Sequence, residues 1–379
     1  MTTVSALFDA YVDINLLLVL ACGLSAALGA GLGALRLGHL VSVQLRLMRL
    51  GFLAVLIGPV VLALAPLRGA VAPAASVNLS DFVVSQYLQG RFEMSPGALQ
   101  QLLGWRDMLH QTLLGAGSPA ALAVLAVLAA GVALFAVRLI VSIARLRAMI
   151  GASYHWRRFG RLELRLSDTV LVPFSTRGLS RRYVVVPSSM LANDADLRIA
   201  LGHELQHLRQ RDVEWEIGLE MLKPLFFWNP AFHLWKRRME RLRELACDRQ
   251  VVTRRGYAVA EYCQCLLRVC GSSLRRGRLF AVDAPVVALV RTENRLFAQR
   301  SAQLLRDRMV TLIEGRAERH PAVLVALLTG PLVGLMLLAA VAIQKPGDWS
   351  QDRIMLSTII NLERLQALNR TSTLSQPGF

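Results

Sequence analysis

Apolar positions along this chain fall into two regimes. In the first, four runs carry almost nothing but aliphatic and small residues: Ile14–Leu35, Leu50–Leu67, Ala120–Val141 and Ala322–Ile343. Each is long enough, or nearly so, to cross ~30 Å of hydrocarbon at ~1.5 Å of rise per residue, so the pattern predicts four transmembrane helices. Gly58-Pro59 interrupts the second and shortest run, and Gly330-Pro331 predicts a kink in the fourth. Gly29 and Gly33 place small residues one turn apart on the first helix, a face suited to close helix packing that leaves room for a homo-oligomer. The first run follows Asp9 and Asp13 rather than Lys or Arg and soon meets a second span, which is not the pattern of a cleavable signal peptide.

In the second regime the apolar residues are periodic. Pro96–Leu114 reads as an amphipathic helix, with Leu99, Leu102, Leu103, Leu109 and Leu113 on one side. Leu162–Leu166 alternates, Val170–Phe174 is apolar, and Tyr183–Val186 is a β-branched run ending at Pro187. With Gly178 and Arg181-Arg182 marking a hairpin connection, these predict a small sheet able to hold an extended substrate by strand addition. Helical periodicity follows over Asp196–Asp212, Val213–Phe227 and about Ala231–Val252. The aromatic group Phe226, Phe227, Trp228 and Trp235 suits a membrane interface or a plain hydrophobic core.

The expected fold is therefore a mainly α integral membrane protein, with a cytoplasmic α+β domain inserted between helices three and four. By residue, 1–67 holds the first two spans, 68–119 an extracytoplasmic loop and 120–143 the third span. The inserted domain takes 144–319, the fourth span 320–343, and 344–379 is a short extracytoplasmic tail with a helix predicted over Gln351–Leu368.

Composition agrees: 54% hydrophobic and 18% charged residues, with a mean hydropathy of +0.44, are too apolar for a soluble chain of 379 residues. Charge sets the orientation. Residues 144–319 hold 32 of the 43 Lys and Arg against 18 of the 26 acids, and the short loop 36–49 adds Arg36, Arg46 and Arg49 with no acid. The positive-inside rule then puts both termini outside and 144–319 in the cytoplasm. A net charge of +17 raises the question of nucleic acid, but no nucleic-acid motif accompanies it. A basic face against the anionic headgroups of a lipid bilayer accounts for it, and no nucleic-acid partner is expected. Of five cysteines, Cys22 lies in a span and Cys247, Cys263, Cys265 and Cys270 on the cytoplasmic side, where thiols stay reduced. The spacing of the last three is not that of a zinc site, and they read as buried helix thiols.

Candidate chemistry centres on His203-Glu204-Leu-Gln-His207. On a helix, residues four apart share a face, so the two imidazoles can aim at one point. Glu204, about a hundred degrees around, can reach water held by a metal there and move its proton. Two neutral nitrogen ligands and an acid/base group that is not itself a ligand suit Zn2+ peptide hydrolysis. The bland alternative is a pair of histidines that merely pack or face water. A catalytic zinc takes a third protein ligand, His, Glu or Asp. Glu244, 37 residues past His207 on the third predicted helix, is the best candidate. Asp248, one turn on, is placed to accept the free N–H of a ligand histidine. Pairing of both acids with nearby arginines such as Arg241 is the competing account. His233 and Tyr257 are available to stabilise an oxyanion, although structural roles suit both; the substrate-binding residues are not identified.

The pentad, Arg211-Asp212, Phe227-Trp-Asn-Pro230 and Glu244-Leu-Ala-Cys-Asp248 together resemble the BlaR1/MecR1 family of integral-membrane metallopeptidases (M56). The resemblance runs from about Ile14 to Ile343 and is strongest over Val170–Val252. It implies gluzincin ligation by His203, His207 and Glu244, Glu204 as general base and Asp248 behind a ligand. It also implies a bacterial cytoplasmic membrane and a signalling task, because the family's sensors detect β-lactams and cleave a cytoplasmic repressor. Those sensors carry a large penicillin-binding domain after the fourth span. Here about 35 residues follow Ile343, without a Ser-x-x-Lys, so acylation by a β-lactam is not expected. The leading expectation is a membrane zinc endopeptidase acting on a cytoplasmic or membrane-proximal protein. Alternatives are a quality-control protease of the HtpX/Ste24 kind, sharing the pentad and a Glu-x-x-x-Asp, and a non-catalytic signalling adaptor with a structural metal.

Overall fold

The computed structural model describes residues 3–64, 79–91, 93–114, 118–275, 287–288, 298–315, 321–343, 354–362 and 365–366. The chain forms two compact units, one of Met1–Ala21, Leu50–Leu128 and Thr329–Phe379, the other of Cys22–Arg49 and Ala129–Leu328.

Three of the expected spans lie in helices long and apolar enough to cross a membrane. These are α1 (Thr3–Ala34), α2 (Val41–Leu64) and, further on, α6 (Pro119–Gly151). All begin before their apolar runs; α2 begins at Val41 and so carries Arg46 and Arg49 within the helix. It also continues through Pro59, where an interruption is expected from sequence. The last long helix, α12 (Pro321–Ile343), likewise continues through Pro331, with Leu327–Ile343 as its apolar stretch. Among the described residues, only the Gly29 half of the Gly29/Gly33 face lies against a neighbour. A Cβ on Gly29 would lie 2.0 Å from the Arg238 guanidinium, and one on Gly33 would meet nothing within 4 Å.

In the first unit, α3 (Leu79–Leu88) precedes the predicted amphipathic helix. That helix is divided at Gly104 into α4 (Pro96–Leu103) and α5 (Trp105–Leu114). Leu99 is fully buried with Val84 and Leu356, but Leu102 is 54% exposed, so the predicted leucine face is not one continuous stripe. Of the predicted tail helix, 354–362 is helical among the described residues.

The second unit holds a five-stranded sheet in the order β1-β2-β4-β3-β5: β1 (Tyr154–Phe159), β2 (Leu162–Ser167), β3 (Phe174–Arg177), β4 (Arg182–Pro187) and β5 (Val287–Ala288). β2 and β4 run parallel; the other neighbours are antiparallel. The expected β3–β4 hairpin is present, closed by the Gly178 N–H donating to the Arg181 carbonyl at 2.8 Å. The expected strand over Val170–Phe174 is not, since β3 begins only at Phe174. Val170 and Val172 are apolar because each enters a different core, Val170 with Leu146 and Val172 against α7 and α9. Pro173 has no N–H to give a ladder.

Val184, Val185 and Val186 of β4 are all fully buried, so the central strand is covered on both faces. Val184 and Val186 pack with Leu197 and Leu208 of α7 (Asp194–Arg209), and Val185 packs with Leu146 of α6. Helix α7 starts where the Asn193 side chain accepts the Asp196 N–H, with Asp194 and Asp196 suiting the positive end of the dipole. It ends at Arg209 rather than at the expected Asp212. Arg211 adopts a left-handed conformation (φ 57°), and a fresh helix, α8 (Asp212–Leu222), begins at the next residue. Asn229 and Pro230 start α9 (Pro230–Arg255), and Gly256 in the left-handed region (φ 65°) ends it. Next, α10 (Val259–Arg275) and α11 (Ala298–Ile313) complete a core with α7 and α9 that buries Ile199, Ala200, Cys247, Val251, Tyr262 and Leu266. Cys263 and Cys265 are buried here as expected of helix thiols.

Candidate metal centre

Packing of α7 on α9 brings His203, His207 and Glu244 together, all three buried. The two Nε2 atoms stand 2.9 Å apart. Glu244 faces both, with Oε2 3.6 Å from His203 Nε2 and Oε1 3.7 Å from His207 Nε2. Ligand atoms 2.0–2.1 Å from a tetrahedral zinc are separated by ~3.3 Å, so these three donors fit such an ion.

The far sides of both rings are held. His207 donates its Nδ1–H to Asp212 Oδ2 at 2.7 Å. His203 Nδ1 lies 2.8 Å from the Tyr262 oxygen, and the Tyr262 hydroxyl donates to Asp248 Oδ1 at 2.7 Å. With those acceptors each ring keeps its proton on Nδ1 and turns the Nε2 lone pair toward Glu244. Asp248 thus stands behind His203 as expected, at 3.3 Å, but mainly through Tyr262. Arg308 of α11 is buried and grips Asp248 with two bonds, Nε to Oδ2 at 2.6 Å and Nη2 to Oδ1 at 2.7 Å.

Burial alone raises a carboxylate pKa, but the surrounding cations decide the outcome. Glu244 is desolvated, yet His207, His203 and Arg308 hold it down to about 2. Asp248 is desolvated too, and Arg308 with His203 keeps it well below the usual carboxylate range. Glu204 differs: burial outweighs the two histidines and pushes it up to about 7. Both of its carboxylate oxygens are buried with no hydrogen-bond partner among the described residues, and so is the Ser175 hydroxyl of β3. Ser175 is near enough to favour the Glu204 anion, without the geometry of a formed bond. A buried, unpaired carboxylate costs ~1–3 kcal/mol or more, so its retention points to chemistry.

Cys247 also lies close enough for His203, His207 and its sulfur to be grouped as donors. Its Sγ is 3.7 Å from His203 Nδ1 and donates to the His203 carbonyl at 3.6 Å, which puts it on the side where Tyr262 and Asp248 bind. The facing Nε2 atoms and the Glu244 carboxylate make the better donor set.

The remaining expected residues are placed away from this centre. Arg241 pairs with Asp307 at 2.8 Å, but other arginines do meet both acids: Arg308 pairs with Asp248 and lies 3.5 Å from Glu244, and Arg243 lies 3.7 Å from Glu244. His233 bonds the Phe227 carbonyl at 2.9 Å, and Tyr257 donates to the Arg198 carbonyl at 3.2 Å. Of the aromatic group, Phe226 and Trp235 are buried in the core and Trp228 is half exposed. Sequence reasoning missed Tyr262, Arg308 and Ser175. A signal existed for Arg308, since Leu305, Arg308 and Leu312 form one stripe at helical spacing and an arginine on an apolar stripe needs a buried anion.

The sequence model of the family described as Peptidase_M56, BlaR1 peptidase M56, matches residues 98–298, more than half of the chain. The chain is also similar to the methicillin resistance mecR1 proteins of Staphylococcus aureus and Staphylococcus epidermidis. Each is 30% identical over 77 residues, which is 20% of this chain and 13% of the relative. The aligned part therefore spans about an eighth of the length of those curated relatives.

Proposed function

The chain belongs to the BlaR1 peptidase M56 family, and from that premise we propose that it is a membrane zinc endopeptidase cleaving a protein or peptide on the cytoplasmic side. His203 and His207 would hold the ion through Nε2 and Glu244 through its carboxylate, leaving a fourth position for water or substrate. Zinc held there supplies a Lewis acid that polarises a peptide carbonyl and lowers the pKa of water to about 7. Glu204 is the general base: it takes a proton from water and returns it to the leaving amine, and a pKa raised toward neutrality by burial suits both transfers. Asp212 and the Tyr262–Asp248 pair keep the imidazoles oriented, and Arg308 keeps Asp248 ionised and fixed.

The accompanying topology has α1, α2, α6 and α12 as four spans of a bacterial cytoplasmic membrane. Both termini lie outside and the zinc domain, 144–319, faces the cytoplasm, as the excess of basic residues in that segment favours. The biological task is regulated proteolysis, with a repressor-like cytoplasmic protein as the substrate class.

One observation carries the reading: two facing Nε2 atoms of α7 and a carboxylate of α9 form a buried triangle, and Glu204, beside His203, has no hydrogen-bond partner among the described residues. The test uses the purified full chain in detergent. Glu204→Gln should retain zinc and lose ~10²–10⁴-fold in peptide cleavage. Glu244→Ala should lose zinc while Cys247→Ser keeps it. Wild-type cleavage by Glu204→Gln rejects the base, and the opposite zinc contents reject the ligand assignment. Substrate trapped on Glu204→Gln, read by mass spectrometry, identifies what is cut.

A further inference from the structure

The left-handed turn between α7 and α8 is held from a distant part of the chain. Arg49 of α2 lies 163 positions before Asp212 and contacts that turn in three ways. Its Nη2 donates to Asp212 Oδ1 in a short bond, its Nη1 donates to the Gln210 carbonyl at 3.3 Å, and its guanidinium lies over the Trp215 ring at 5.4 Å. The other oxygen of the same Asp212 carboxylate accepts the His207 Nδ1–H. Asp212 is fully buried and the Arg49 side chain is 14% exposed, so the pair is shielded from water.

Asp212 cannot orient His207 unless it is itself fixed, and its own element does not fix it. It is the first residue of α8, and the residue before it sits at φ 57° with a side chain that makes no cap bond. A non-glycine residue there costs ~1 kcal/mol or more and persists only where contacts around it demand the conformation. Arg49 supplies those contacts, with one N–H on each side of Arg211 and the aromatic face of Trp215 beneath.

We propose that Arg49, on a helix long and apolar enough to cross a membrane, is a positioning residue for the metal ligand His207, acting through Asp212. The role follows from the juxtaposition of its guanidinium with the one carboxylate that orders that imidazole. It rests on the zinc-site reading above. Lysine cannot replace it, because a single ammonium does not present two N–H groups at a fixed angle to a carboxylate and a carbonyl.

The experiment measures zinc affinity of the full chain in detergent by competition with a chelator, together with the visible spectrum of the Co2+-loaded protein. Arg49→Met should weaken zinc binding by ~10–100-fold, the range for loss of a partner behind a metal ligand, and should shift the Co2+ bands. Arg49→Lys should fall between the two, which keeps the test alive if the methionine variant does not fold. Arg46→Met removes an exposed arginine one turn away and should leave affinity and spectrum unchanged. Adding Arg49→Met to Asp212→Asn should cost little beyond Asp212→Asn alone. Wild-type affinity in both Arg49 variants, or fully additive losses in the double variant, overturns the proposal while leaving the zinc site intact. A wild-type chain that takes up no zinc overturns the peptidase reading itself.

Discussion

At the scale of single residues, the surroundings of His207 favour its protonated form. Burial lowers the pKa of His207, but Cys247, Glu244 and the Asp212 hydrogen bond more than offset this and push it up to about 10. A cation that binds the facing Nε2 atoms must therefore compete with protons at pH 7. Zinc binding should release at least one proton near pH 7, and apparent affinity should rise with pH until about 10. Calorimetry in two buffers of different ionisation enthalpy measures that number, and zero protons released would contradict the arrangement. The convergence of His203, His207 and Glu244 was legible in sequence because an i, i+4 pair and a Glu-x-x-x-Asp each sit on one helix, where spacing sets geometry. Tyr262, Arg308 and the role of Asp212 were not, because they reach the site from other helices or across a turn. No periodicity records which distant side chain ends beside a given imidazole.

Elements that bury one face were predictable, and those that do not were missed. Helices α7 and α9 announce themselves by periodic apolar residues between Asn caps and a final Gly or polar turn. Strand β1 is exposed along nearly its whole length and shows no alternation to read. The α7–α8 break was also hidden, because a non-glycine residue makes the left-handed turn. Close packing within the second unit is clearest at Gly131 of α6. A Cβ there would lie 2.2 Å from the Phe227 ring, which stacks on Phe135 one turn further along at 5.5 Å. Gly131→Ala must displace a packed aromatic ring, at ~1–3 kcal/mol, and should lower the Tm. Gly29→Ala meets only the tip of a flexible arginine and should lower it much less. Equal Tm values in thermal unfolding of the two variants would refute that reading of α6.

For the whole molecule, not every base faces the surface. Lys236 sits among Glu216, Glu220 and Glu240 at 2.7–2.9 Å, and Arg243 and Arg308 are buried against carboxylates. Each of these bases is matched by at least one interior acid, so the +17 excess read from composition rests on the other basic residues. On the zinc-site reading, His203, His207 and Glu244 converge on a cation, so the ion should stabilise the native state by linkage, ~4 kcal/mol at a free concentration a thousandfold above Kd. Chelation should lower the Tm and re-addition of zinc restore it; a Tm indifferent to chelator would count against a metal ordered at this centre.

The arginine that reaches from α2 to the α7–α8 turn also limits how far this chain can be dissected. A soluble fragment cut to start after the third apolar helix would contain His203, Glu204, His207 and Glu244, yet leave behind the arginine proposed to steady one of them. Such a truncate would be a poor stand-in for inhibitor screening, and the smallest faithful preparation must keep the first helical hairpin attached.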